Sequence, residues 1–268
     1  MGLIKKEFKD TFKGLIIWNI IFILFSGLYI PFTDKMTEKS DVISRFFNSI
    51  PRTFLKAFNI SDMEMFLKPE GFFGSEGMAI VFIFAAVYSI MLVSKSFAGE
   101  FDNGTIEYLL IKPYSRIKIF FSKLLVMFFN ITVIAAIFTV TIVWMFKFFV
   151  ASNYNVEILY GFGFYTYVVE IFFISFTLFL SFTIKKGSLV NSIAMGILFL
   201  MYFGYTLLED IKGLSFLSYI SVFKYIPLVA TVKNNTVYYQ NGIFIILLSI
   251  VLLIVSALWF NKEDISLA

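Results

Sequence analysis

The chain has no cysteine and no histidine. The first absence excludes disulfides and thiol nucleophiles, the second excludes imidazole bases, and together they remove the usual zinc and copper ligands. Charge is scarce too: charged residues make up 15% of the chain, against 59% apolar and 20% aromatic, with 37 phenylalanines. A soluble domain of this length has far less apolar content, so the class is an integral membrane protein. Nucleic acid is not expected as a partner. The net charge is only +4, and the basic residues sit beside apolar runs, where anionic lipid headgroups account for them. A phosphate-binding loop is missing as well. Such a loop needs glycines flanking a Lys-Ser or Lys-Thr pair, whereas the nearest candidate, Lys186-Gly187-Ser188, has the order wrong and no upstream glycine. The amino-terminal apolar run lacks a small-residue cleavage site and continues as a full span, so no cleaved signal peptide is expected.

What is present is a series of apolar runs at about 14–31, 78–93, 124–149, 162–184, 189–208 and 242–260. They predict an all-α polytopic membrane protein of six transmembrane helices, one transmembrane domain over 1–268, with both termini on one side. Lys5, Lys6, Lys9 and Lys13 at the start, and a link from Val150 to Tyr160 without Lys or Arg, put the termini in the cytoplasm. Within Gly2 to Lys13, Leu3, Ile4, Phe8 and Phe12 recur at helical spacing opposite the lysines. This is either an interfacial amphipathic helix or the positive flank of the first span. Between the first two spans, apolar clusters broken by Pro51 and Pro69 read as short helices on the outer surface, a packed lid or a segment that reads a substrate.

The most polar block runs from Lys95 to Lys123, between the second and third spans, and is therefore cytoplasmic. Asn103-Gly104-Thr105 reads as a turn and helix N-cap, Glu107 lies in the first turn where the helix dipole favours a carboxylate, and Lys112-Pro113 ends the helix. A helix of about two turns over Thr105 to Ile111 is expected, and Ser115 offers a second N-cap.

Glu100, Gly104-Thr105, Glu107, Leu109-Leu110, Pro113, Ser115-Arg116, Ile119 and Lys123 resemble the signature of type-two ABC exporter permeases, in which a span ends in an acidic, Gly-Thr, Leu-rich, Pro-x-Ser-Arg run. The charged ending Trp259 to Ile265 and the outer segment around Pro51 and Pro69 to Phe72 are also similar. The resemblance implies a coupling helix at Thr105 to Ile111 that docks on a separate ATPase subunit, with Glu107, Leu109 and Leu110 at the contact and Gly104 and Pro113 setting its ends. It further implies that Arg116 and Lys123 anchor the next helix to headgroups, that Lys185 to Ser188, with Lys186, forms a smaller second contact, and that the amino-terminal helix is the family's connecting helix. ATP and Mg would belong to the partner ATPase, with no cofactor in this chain. A second permease chain, expected to be identical, completes the transporter in a bacterial plasma membrane. The expected cargo is an amphipathic peptide, an antimicrobial compound or a lipid-like molecule.

Glu170 is the one carboxylate inside the spans. It reads as a translocation-pathway residue, as a partner of Lys147, or as an interfacial carboxylate about two turns from the outer boundary. The remaining polar span residues, among them Asn19, Asn130, Thr132 and Thr139, are accounted for by hydrogen bonds between helices. An ion-gradient carrier is the alternative, discriminated by Glu170. A membrane enzyme would have to build its site from loop acids such as Asp62, Glu64, Glu209 and Asp210, and is not expected.

Overall fold

In hydrocarbon every backbone polar group must be bonded within its own segment, which leaves helices as the solution for runs of this length and composition. The computed structural model of the chain describes residues 2–38, 68–102, 114–184, 186–209 and 215–262, with no strand among them. Among the described residues, six helices are long and apolar enough to cross a membrane. They are numbered α1 (Gly2–Tyr29), α2 (Pro69–Ala98), α3 (Arg116–Phe149), α4 (Val156–Ile184), α5 (Gly187–Glu209) and α6 (Tyr239–Lys262). This is the all-α, six-span architecture that the apolar runs predict.

The centre of the bundle is α4, which packs against α6, α2, α3 and α5. Its sequence has no polar stripe, and 67% of its span window is buried, compared with 22% for α6. A helix that is apolar all round belongs in the interior. Close approach is achieved at Gly163, where an added Cβ would strike the Thr139 side chain of α3, and at Gly242 of α6, where it would strike Phe164 of α4.

The lysine-rich start and the first span form one unbroken helix, since nothing between Lys13 and Leu15 breaks it. At 28 residues, about 42 Å long, α1 exceeds the hydrocarbon core. Its buried stripe is Leu3, Glu7, Thr11, Leu15, Asn19, Phe22 and Ser26. Of its polar members, Glu7 and Thr11 bond to α3 and Asn19 and Ser26 bond back to carbonyls of α1, while Phe12, Ile16, Ile17 and Ile20 point outward. This is the arrangement lipid favours, with polar groups turned toward neighbouring helices.

Pro69 occupies the first turn of α2, where its missing N–H costs nothing. It therefore starts this span instead of breaking a surface helix; Pro51 lies outside the described residues. The helix widens into π-turns at Phe73–Gly77 and Ser94–Ala98, on either side of the regular stretch Met78–Val93. At the N-terminal end of the bundle, Phe97 of α2, Phe120 of α3, Phe182 of α4 and Phe260 of α6 form a cluster in which all six ring pairs lie 5.2 to 6.2 Å apart. Each such pair contributes about 0.5–1.5 kcal/mol beyond burial, so four helices are fastened at one level. At the far end, Lys68 donates to the Val232 carbonyl and to Asn235 Oδ1, both at 3.0 Å, and the Tyr165 hydroxyl accepts from the Tyr238 N–H at 2.9 Å. These bonds hold the segment before α6 across the mouth of the bundle.

Candidate functional site

Gly104, Thr105, Glu107, Leu109, Leu110 and Pro113 lie outside the described residues, as does Lys185. The two stems of that segment are described. One is the end of α2, continuing through Gly99–Asp102. The other is the start of α3, where Ser115 has extended backbone and its hydroxyl accepts the Lys118 N–H at 3.3 Å, making it the N-cap.

Between the stems sits a buried charge cluster. Lys123 is 1% exposed. Its ammonium donates to Glu7 Oε1 at 2.7 Å, to Glu100 Oε1 at 2.9 Å and to the Ser96 carbonyl at 2.9 Å. All three N–H groups of the ammonium are thereby used. The π-turn at Ser94–Ala98, in which the Gly99 N–H reaches back to the Ser94 carbonyl, positions the stretch that carries Ser96. Lys6 stands 4.0 Å from Glu100 on the solvent side. Burial pushes the Glu100 carboxyl above the usual range, and the Lys123 ammonium opposes that shift. One turn further along α1, Asn130 of α3 donates to the Thr11 hydroxyl at 3.0 Å. A cleft of about 360 Å³ opens beside the cluster, lined in part by Glu7, Asp10, Thr11, Lys95, Ser96 and Glu100.

This geometry corrects the expected role of Lys123. Its side chain does not reach the headgroups; it is the hub that joins α1, α2 and α3. Arg116 is half-buried at the start of α3, and Lys186 is exposed in the turn before α5. Glu100 is brought to the cluster as a ligand of the lysine. Sequence reasoning missed Glu7, which sits among lysines on a segment assigned an outward basic face. The available signal was the four-residue spacing of Glu7, Thr11, Leu15 and Asn19, which marks an inward polar stripe.

Glu170 is placed differently from expectation. Because α4 begins at Val156, Glu170 is the fifteenth of its 29 residues, at mid-helix and not near the outer boundary. It is fully buried, and neither carboxyl oxygen has a hydrogen-bond partner among the described residues. Lys147 is exposed at the end of α3 and makes no ion pair with it. Tyr88 of α2, whose hydroxyl is also buried and unbonded, lies within its electrostatic reach. Of the other span polar groups, Asn130 and Thr132 bond across helices, to Thr11 and to Tyr167. Asn19 and Thr139 instead bond back to carbonyls of their own helices.

A comparison with curated proteins finds no match. A family model described as ABC-2 family transporter protein matches residues 1–265. That match covers all six spans and both stems of the charge cluster, and the chain belongs to the ABC-2 transporter family, as a multi-pass transport component of the plasma membrane whose relatives typically work with an ABC ATPase subunit.

Proposed function

We propose that this chain is the membrane-spanning subunit of an ATP-driven exporter, working with a second copy of itself and with ATPase subunits that carry the ATP and Mg. The observation that carries the reading is the Lys123 cluster. It ties both stems of the 103–113 segment to α1, and the phenylalanine cluster beside it extends the tie to α4 and α6. A push on the segment therefore moves several helices as a body, which is what coupling to a partner's motion requires. In this reading Thr105 to Ile111 docks on the ATPase through Glu107, Leu109 and Leu110, between ends set by Gly104 and Pro113. The Lys185–Ser188 turn adds a second contact. Spans rich in Phe and Leu and poor in charge favour an amphipathic peptide, an antimicrobial compound or a lipid-like cargo.

The test is co-purification with a candidate ABC ATPase subunit from the same organism, followed by transport-linked ATP hydrolysis. Glu107→Lys and Leu109→Asp are expected to abolish complex formation or to uncouple hydrolysis from transport. Full coupling in both variants would sink the assignment.

One observation favours a second reading, an ion-gradient-driven carrier: Glu170 is an ionisable group at mid-span with no hydrogen-bond partner among the described residues, the usual mark of an ion or proton relay. Glu170→Gln separates the two. A carrier loses gradient-driven uptake, whereas a permease retains ATP-dependent transport.

A further inference from the structure

Near the N-terminal end of the bundle α3 and α6 meet at Phe120 and Phe260 and leave a groove open beside that contact. Phe121 and Leu124 of α3 face Ile250, Leu253, Ala257 and Asn261 of α6 across an open groove of about 390 Å³. Its walls are apolar except at Asn261, the last lining residue toward the end of α6. Ile250 to Asn261 is eleven helical steps, about 16 Å. Half of a bilayer's hydrocarbon core is about 15 Å. Since Ile250 lies midway along α6, the groove runs from the middle of the membrane to one interface, the length of one leaflet.

Basic residues flank the lining at that end. Lys118 follows Ile117 and Lys262 follows Asn261 in the chain, both are exposed, and the Lys118 ammonium lies 5.1 Å from the centre of the Tyr114 ring. Glu263 and Asp264 follow beyond the described residues. An extended peptide segment would leave its backbone donors and acceptors unbonded along such walls. A hydrocarbon chain has none to satisfy, and a phosphate at the open end would meet the Asn261 amide with two lysines on adjoining positions.

We propose that this groove binds one anionic glycerophospholipid of the leaflet that faces the N-terminal end, with an acyl chain between α3 and α6 and its phosphate at Asn261, Lys118 and Lys262. Basic pockets between helices at this depth are suited to anionic headgroups. The inference does not depend on what the transporter carries.

The experiment is native mass spectrometry of the full-length chain released from detergent, with phosphatidylglycerol and phosphatidylcholine of identical acyl chains in competition. One retained phosphatidylglycerol per chain is expected, preferred by roughly tenfold. Ala257→Trp, which fills the groove, should abolish retention of both lipids, while Val255→Trp, outside the groove on the same helix, should leave it intact. The pair Lys118→Glu and Lys262→Glu alters only exposed side chains and should remove the preference while leaving acyl-chain binding, so the proposal stays testable even if the tryptophan variant does not fold. Equal retention of the two lipids by the native chain would overturn it. So would unchanged retention in Ala257→Trp, or a native dimer that this substitution dissociates, which would assign the groove to a second copy.

Discussion

Lys123 shows how a single side chain organises the inner end of the bundle. A buried ammonium is tolerated only when paired and fully hydrogen-bonded, and here two carboxylates and a carbonyl meet that condition. Removing the charge leaves Glu7 and Glu100 facing each other with only the exposed Lys6, 4.0 Å from Glu100, to oppose them. Lys123→Met is therefore expected to destabilise the protein by about 3–5 kcal/mol, read as a lower thermal midpoint in detergent. Combining it with Glu7→Gln and Glu100→Gln removes the uncompensated charge and should restore most of the loss; failure to restore it would mean that packing, not charge, dominates the site. Sequence alone marked Lys123 and Glu100 through their place in the 95–123 block. The partner Glu7 is 116 residues away from Lys123 and was not legible, because no local pattern states which helix will lie alongside.

At the scale of elements, α4 is central because it is apolar on every side and carries small residues where neighbours approach. Gly163 meets Thr139 so closely that even a methyl group requires the helices to part. Gly163→Ala is expected to cost about 1–3 kcal/mol by overpacking. Gly196 of α5 has nothing within 4 Å of the same added atom, so Gly196→Ala should be neutral or stabilise by up to about 1 kcal/mol through helix propensity. Thermal unfolding of the two variants side by side checks the contrast, and equal effects would mean that close packing at Gly163 is not what holds α3 to α4. The existence of α4 was evident from its apolar run. Its true start at Val156 was not, because Val156 to Gly161 mixes apolar and polar residues and reads as a link until the far end of the bundle closes over it. That shift of about two turns moved Glu170 from the expected interface to mid-span.

For the whole molecule, six spans and the lysine-rich start make a topological prediction that the natural absence of cysteine makes easy to test. Ser152 is exposed in the link between α3 and α4, and Ser188 is exposed in the first turn of α5, so the two lie at opposite ends of α4. In intact cells a membrane-impermeant maleimide is expected to label Ser152→Cys and not Ser188→Cys. The reverse pattern would invert the bundle and place the Lys123 cluster outside, where no ATPase could reach it.

The sequence by itself determined the class, the number of spans and the polar block between the second and third, since run length, charge scarcity and turn residues are local quantities that need no neighbours. Tertiary structure alone decided which face of α1 turns inward, that Lys123 is buried against Glu7, that Glu170 is buried at mid-span with no hydrogen-bond partner among the described residues, and that α3 and α6 leave a groove between them. Each of these depends on which helices meet and at what height. In a bilayer that is set by small differences in side-chain packing, which a list of apolar runs does not contain.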